Sequence, residues 1–125
     1  LICDEVMSGF GRTGEWFAFN HWNVLPDIVT MAKGLTSAYV ALGAVGVRRT
    51  IADHFKEKVL YGGLTYNSHP LGCAAAVATL DVYEQDDLIA RARFSGSSES
   101  ALFFCKADSR KRAIESGSSP TVFVR

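Results

Sequence analysis

Two charged side chains stand where apolar runs of the sequence stop, and both could do chemistry there. Asp4 follows the apolar residues 1–3, and Lys33 follows the run 28–32 and precedes Gly34. A desolvated lysine presents its neutral amine, the form that attacks carbonyls and makes Schiff bases. A carboxylate is costly to bury unless a cation or a hydrogen-bond donor meets it. Taken alone, each residue also has a structural explanation: an ion pair or a helix cap for Asp4, and a surface position for Lys33.

A glycine-containing loop, predicted over residues 60–69, is the third candidate. It contains Gly62, Gly63 and Thr65 and leads into a helix that is predicted to begin at Pro70. Glycines, hydroxyls and a helix start supply donors for a phosphate, although a plain helix entrance contains the same residue types. Together, an amine, an acid and phosphate donors suit pyridoxal 5′-phosphate, which needs all three. No metal site is predicted, because the three histidines lack the spacing of metal ligands.

The elements that must position these residues are predicted from periodicity and from glycine and proline punctuation. Strands are expected over residues 1–3, 28–31 and 42–47, the last a continuous apolar run typical of parallel sheets. Helices are expected over residues 49–58 and 70–83. Two apolar stripes support the helices: Ile51, Phe55 and Val59 on the first, and Leu71, Ala75, Ala78 and Val82 on the second. An aromatic patch is predicted to lie in the core or at an interface: Trp16, Phe17, Phe19 and Trp22.

Composition excludes several classes of protein. With 48% hydrophobic and 21% charged residues, the chain has the composition of a globular protein. Thirteen basic and thirteen acidic residues cancel, which disfavours nucleic acid as a partner. Because no apolar run approaches the ~20 residues that span a bilayer, no membrane association is predicted. Three widely separated cysteines favour a reducing compartment, so we expect a cytoplasmic protein.

The sequence changes character near Arg93, which predicts a division of the chain. Residues 1–92 carry 7 basic and 10 acidic residues, a net charge of −3, whereas residues 93–125 carry 6 and 3, a net charge of +3. The second part also contains eight serines, and its periodicity is weak. We therefore expect a structured part over 1–92 and a tail over 93–125 that is disordered, helical only around 101–114, or the product of a frameshift. Because the chain opens inside an apolar strand, it is expected to be a piece of a longer protein.

Three motifs, in this order and spacing, resemble the class III aminotransferases. They are Asp-Glu-Val-Met-Ser-Gly-Phe-Gly-Arg-Thr-Gly at 4–14, Pro-Asp-Ile-Val-Thr-Met-Ala-Lys-Gly-Leu at 26–35 and Leu-Gly-Ala-Val at 42–45. This family includes the ω-amino-acid transaminases and belongs to the fold-type-I enzymes that depend on pyridoxal phosphate. The resemblance covers residues 1 to about 92. It implies an α/β fold, in which this segment is an incomplete part of a large domain with a mostly parallel sheet flanked by helices.

The resemblance also implies a role for each matching residue. Lys33 corresponds to the lysine that holds the cofactor as a Schiff base and moves a proton during the reaction. Asp4 corresponds to the aspartate that pairs with the pyridinium nitrogen, and Val6 to the aliphatic residue packed on one face of the ring. Thr65 corresponds to the hydroxyl that reaches the cofactor phosphate of a neighbouring subunit. A homodimer is therefore implied.

The activity implied is transfer of an amino group from an amino acid or amine, including ω-amino compounds, to a 2-oxo acid. Most of the enzyme would lie outside this segment, so the chain alone is predicted to be inactive. The open alternatives are a mutase, racemase or decarboxylase of the same fold, or a non-catalytic remnant or pseudogene product. Three positions depart from the family: Met7 replaces a frequent Gln, and Ala38 and Ala41 stand where Gly and Pro are frequent. The last two changes predict strain in the loop that presents Lys33.

Overall fold

The computed structural model describes residues 1–97 and 121–124, and its side chains are described up to residue 95. Seven elements follow one another in these ranges: β1 (Ile2–Asp4), β2 (Ile28–Met31), β3 (Ala44–Val47), α1 (Arg49–Asp53), α2 (Pro70–Gln85), α3 (Leu88–Ser97) and β4 (Thr121–Val124). Short 3₁₀ helices occupy Ala18–Trp22 and Lys33–Leu35. None of the helices within the described ranges is long and apolar enough to cross a membrane.

The four strands form one sheet in the order β1-β2-β3-β4. β1 and β2 are parallel, with Asp4 opposite Thr30, whereas β2 pairs with β3 and β3 with β4 in antiparallel fashion. The predicted α/β character and the three predicted strands are present, and β2 has the expected bounds. The parallel setting inferred for β3 is wrong. Its continuous apolar run reflects burial, and burial does not determine strand direction.

Two ion pairs lie at the amino end of the parallel pair of strands. The amino group of Leu1 donates to Asp27 Oδ2 at 2.6 Å, and Arg48 Nε lies 3.0 Å from Asp27 Oδ1. The hydrogen bond from the amino group, together with the positive charges of that group and Arg48, lowers the pKa of Asp27. Because all three groups are exposed, these pairs contribute little to stability.

Helix α2 begins at Pro70 as predicted, and it ends at Gln85, two residues beyond the predicted end. Its predicted apolar stripe does not form the packed face, because Leu71 is 63% exposed and Val82 is 46% exposed. The buried residues are Gly72 and Ala76. A Cβ at Gly72 would lie 3.3 Å from Leu42 Cδ1, so the helix approaches the segment just before β3 through its smallest residues.

Helix α1 is shorter than predicted, since it ends at Asp53 and not at Lys58. Ile51 and Phe55 are half-buried, but Val59 is 70% exposed, so the predicted stripe is covered only at its first turns. Most helical stability comes from the packing of an apolar face. Without a neighbour over Val59 in the described part of the chain, the helical pattern is not continued. The segment 60–69 that follows contains no helix or strand, as predicted.

The core lies where α2 and the loop after β1 meet the sheet. Its buried members are Phe10, Leu35, Ala44 and Ala76. The Phe10 ring stacks on Tyr83 at a centroid distance of 6.1 Å and meets Phe17 edge-on at 5.5 Å. The predicted aromatic patch is therefore divided, because Trp16 and Phe17 pack on this core whereas Trp22 is 65% exposed.

Helix α3 continues across residue 92 and packs on the loop after β1. Ile89 is buried against Gly11, where a Cβ would lie 2.7 Å from Ile89 Cδ1. Arg93 donates through Nε to Gly14 O at 3.0 Å and pairs with Glu15 at 2.5 Å. The division of the chain at residues 92 and 93 stays a prediction. The helical segment proposed over 101–114 lies outside the described residues.

Candidate functional site

The parallel pairing of β1 and β2 brings Asp4 and Lys33 to one edge of the sheet. Asp4 is the last residue of β1, and Lys33 follows the end of β2 by two positions. Parallel strands end at the same edge, and ligands of α/β sheets bind outside this carboxyl edge. Two residues 29 positions apart in the chain thus lie at the same edge of the sheet for a topological reason.

The Asp4 carboxylate is held from one side only. Its Oδ1 atom accepts hydrogen bonds from the Val6 amide and from Thr30 Oγ1, each at 3.0 Å. Both donors meet the same oxygen, so Oδ2 has no hydrogen-bond donor among the described residues and is open to a ligand. Among the described residues Asp4 forms no ion pair, so the structural ion pair proposed from the sequence is not seen there.

Lys33 occupies a strained position at the start of the 3₁₀ turn after β2. Its φ is +43°, in the left-handed region that a side chain disfavours. Such outliers cluster at active sites and ligand clamps. The Lys33 side chain is exposed, so the desolvation considered from the sequence is not seen, and its Nζ atom contacts Met7 Sδ. The amine therefore points back across the edge toward the residues that follow β1.

The turn that carries Lys33 is fixed from behind by packing and by one hydrogen bond. A Cβ at Gly34 would lie 2.7 Å from Phe10 Cβ, so only glycine fits there without a shift of Phe10. Tyr83 of α2 donates its hydroxyl to Gly34 O at 3.1 Å. Helix α2 and the loop after β1 together hold the lysine in place.

A cleft of about 300 Å³ opens beside Lys33. Its described lining comes from the loop after β1, the turn that carries Lys33, and helices α2 and α3: Val6, Met7, Gly9, Phe10, Gly11, Arg12, Lys33, Gly34, Tyr83, Leu88 and Ala92. Of the described residues that line it, two are basic, Lys33 and Arg12, and none is acidic. This balance suits an anionic ligand. Asp4 stands next to the cleft at the same sheet edge but is not part of its lining.

Thr65 is not brought into this cleft. It is exposed in the loop over residues 60–69, where Asn67 donates to Gly62 O at 3.2 Å and closes the turn. The role implied for Thr65 lies on a neighbouring subunit, and that role does not require contact with the cleft of its own chain. Of the four predicted site residues, the structure thus places Lys33 and Val6 in one cleft, Asp4 beside it and Thr65 apart.

Three residues of the site were not predicted from the sequence. Arg12 lines the cleft, Tyr83 anchors the lysine turn, and Glu5 is buried directly after Asp4. Strand pleating contains a signal for Glu5, because neighbours in an extended segment point to opposite faces. If Asp4 faces a ligand, Glu5 must face the interior. Within the described part of the chain, no group of three His, Cys, Asp or Glu side chains could hold a metal ion.

Comparison with known proteins identifies the family. The sequence model for Aminotransferase class-III matches residues 1–102. An omega-aminotransferase of Caulobacter vibrioides is 50% identical over 97 residues, which cover 74% of this chain and 22% of that protein. The chain thus spans about a fifth of the length of the curated relatives it matches.

Two solved structures show the same arrangement of elements. The (S)-enantioselective omega-transaminase of Thermomicrobium roseum superposes with a TM-score of 0.73 at 47% identity, covering 78% of this chain and 22% of its own. The taurine:2-oxoglutarate aminotransferase of Bifidobacterium kashiwanohense, solved with PLP and glutamate, gives 0.69 at 53% identity, covering 71% and 20%. The sheet and helices are a piece of the fold-type-I transaminase structure, as the motifs implied. The chain therefore belongs to the class III aminotransferases, a family of pyridoxal-phosphate-dependent enzymes.

Proposed function

We propose that this chain forms the lysine-bearing part of a transaminase site that moves an amino group from an amino acid or amine, including ω-amino compounds, to a 2-oxo acid. One observation carries the proposal: the amine of Lys33 lies in a cleft at the carboxyl edge of the sheet, where Asp4 ends the neighbouring parallel strand. Membership of the family supports it, and so does the neighbour solved with PLP and glutamate. A cytoplasmic location is part of the proposal.

The residues at this edge fit pyridoxal 5′-phosphate. Lys33 supplies the amine that an aldehyde requires, and Asp4 Oδ2 is open to a protonated ring nitrogen because both donors occupy Oδ1. Val6 lines the cleft with an aliphatic side chain that can pack on a ring face. The cleft volume of about 300 Å³ lies at the lower end of the range for small-molecule sites.

Each residue then has a distinct task. Lys33 would hold the cofactor through its amine and would carry the proton that leaves the substrate carbon. Asp4 would keep the ring nitrogen protonated, since opposite charges ~4 Å apart interact by about 4 kcal/mol at an effective dielectric of 20. The cofactor, when bound, serves as the electron sink for the bond that breaks. Val6 orients the ring by contact.

The remaining parts of the site are proposed to come from outside this chain. Thr65 would reach the cofactor phosphate in a neighbouring subunit of a homodimer, which agrees with its exposed position away from its own cleft. A preorganised site needs its complete set of contacts. Because the chain spans about a fifth of its relatives, we propose that it has no activity alone.

Borohydride trapping tests the lysine assignment. The chain is incubated with pyridoxal phosphate and reduced, and the modified lysine is located by mass spectrometry. We expect saturable modification at Lys33, its loss in Lys33→Ala, and no such loss in Lys56→Ala, which removes an exposed lysine paired with Asp53. Equal modification of Lys33 and Lys56 at every cofactor concentration would overturn the assignment.

Activity is tested in a complete enzyme. Residues 1–97 replace the matching segment of the Thermomicrobium roseum transaminase, and amino transfer to pyruvate and to 2-oxoglutarate is measured. Transfer that depends on Lys33 supports the proposal. Trapping at Lys33 without transfer indicates one of the same-fold alternatives, a mutase, racemase or decarboxylase. A folded chimera that neither traps the cofactor nor transfers amino groups indicates a non-catalytic remnant or pseudogene product.

A further inference from the structure

Glu5 is a buried carboxylate with three hydrogen-bond donors around it. The residue is 2% exposed, although it stands directly beside the exposed Asp4. Its Oε2 atom accepts from Ser8 Oγ at 2.6 Å and from the Ala18 amide at 3.0 Å, and its Oε1 atom accepts from the Phe19 amide at 3.0 Å. Burial of a charge is costly unless it is satisfied in this way, so the arrangement calls for an explanation.

The carboxylate closes the loop after β1 into a ring. The residues it binds lie 13 and 14 positions further along the chain, at the first turn of the 3₁₀ helix Ala18–Trp22. The amides of a first helical turn have no partner within their helix, so the Glu5 carboxylate also caps this helix. All cleft-lining residues from Val6 to Arg12 fall inside the ring.

The backbone of Glu5 is anchored as firmly as its side chain. Its amide donates to Thr30 O of β2 at 2.9 Å, and its carbonyl accepts from the Gly9 amide at 3.0 Å. A Cβ at Gly9 would lie 2.8 Å from Glu5 O, so the turn is closed tightly over the residue. Glu5 thus joins the sheet, the turn and the 3₁₀ helix at one point.

We propose that Glu5 is a positioning residue, whose buried carboxylate clamps the loop that forms one wall of the cleft beside Lys33. It acts through its neighbours, because the same backbone carries Asp4 on one side and Val6 on the other. The consequence for the cofactor rests on the proposed function. The clamp itself rests only on the geometry around the carboxylate.

The clamp requires a carboxylate and not merely a polar side chain. Both of its oxygens receive donors, and a carboxylate is the only common side chain that accepts at both ends. Glu5→Gln keeps the size but turns one end into a donor, so at least one of the amides of Ala18 and Phe19, or the Ser8 hydroxyl, loses its acceptor. Removing one partner from a buried charged hydrogen bond costs more than removing an exposed one.

Hydrogen–deuterium exchange of the full 125-residue chain tests the clamp. We expect Glu5→Gln to raise the exchange rate of residues 6–19 by about tenfold or more while β2 keeps its protection. Glu15→Gln is the matched control, since it makes the same change in the same loop at a partly exposed pair with Arg93. It should change this rate less than about threefold. Equal exchange in the two variants would overturn the clamp.

A second variant covers the case in which Glu5→Gln unfolds the chain. Ser8→Ala removes one donor and leaves the carboxylate, so a smaller rise in exchange rate confined to residues 6–19 is expected, and no rise there counts against the clamp.

The positioning role is read from the pyridoxal phosphate concentration that half-saturates trapping at Lys33. We expect a rise of about tenfold in Glu5→Gln and none in Glu15→Gln. Equal concentrations refute positioning. If neither the unmodified chain nor the chimera traps the cofactor, the proposed function fails, and exchange alone decides the clamp.

Discussion

Ala38 gives the sharpest test of how the loop after Lys33 is built. Its φ is +64°, and its side chain is exposed, so the Cβ strains the backbone without contributing packing. A non-glycine residue in this region costs roughly 1–2 kcal/mol. Glycine removes that cost but adds about 0.5–1 kcal/mol of chain entropy in the unfolded state. Ala38→Gly should therefore raise the free energy of unfolding by about 0.5–1 kcal/mol.

Ala41 is the control, because it is exposed in the same loop and does not have a positive φ. Ala41→Gly relieves no backbone strain and increases the chain entropy of the unfolded state, so it should lower the free energy of unfolding by about 0.5–1 kcal/mol. The two variants carry the same chemical change and differ only in backbone geometry.

Urea denaturation of the chain measures both variants. A gap of about 1–2 kcal/mol corresponds to about 1 M in the transition midpoint when the slope is about 1–2 kcal/mol/M. The slope itself should not change, since neither substitution alters the surface exposed on unfolding. If both variants lower the urea midpoint equally, Ala38 is not strained, and the loop that follows Lys33 accommodates alanine without an energetic cost.

Two further substitutions test the site, the first with a matched control. Gly34→Ala places a Cβ 2.7 Å from Phe10 Cβ; it should destabilise the chain by about 1–3 kcal/mol and weaken trapping at Lys33. Gly63→Ala, whose Cβ would have no atom of the described residues within 4 Å, should not destabilise, and equal urea midpoints for the two would contradict the packing argument. In the full-length chimera, Asp4→Asn keeps the acceptor for Val6 and removes the charge, so turnover should fall by about two to three powers of ten while the cofactor stays bound. Turnover near that of the parent chimera would remove Asp4 from its proposed role.

Local signals predicted those elements whose ends are fixed by chemistry within the element. Strand β2 has its predicted bounds, and α2 starts at Pro70 because proline lacks the amide that a first helical turn leaves unpaired. The carboxyl-edge position of Asp4 and Lys33 followed from the strands that precede them. The roles of these residues came from the motifs and not from the strands, and they stay predictions.

Features that depend on what packs against an element could not be read from the sequence. The packed face of α2 is set by Gly72 and Ala76, because small residues allow close approach to Leu42. An apolar stripe indicates only which face is hydrophobic, and not which face packs most closely. The direction of β3 depends on how the chain returns to the sheet, which an apolar run does not encode. The end of α1 depends on whether another element covers Val59, which is exposed. The periodicity of the sequence does not indicate which element packs there.

The adjacent acids Asp4 and Glu5 show that residues of one type in one motif can have different roles, which the motif itself does not distinguish. Side chains alternate across an extended segment, so two acids in succession must meet different surroundings. One is exposed, with an open oxygen at the sheet edge, and the other is buried under three donors. The first can serve a ligand only because the second fixes the backbone that both share. On this reasoning the two acids are not equivalent. A neutral residue in place of Glu5 loosens the cleft wall, whereas a neutral residue in place of Asp4 leaves the wall intact and removes a charge from the site.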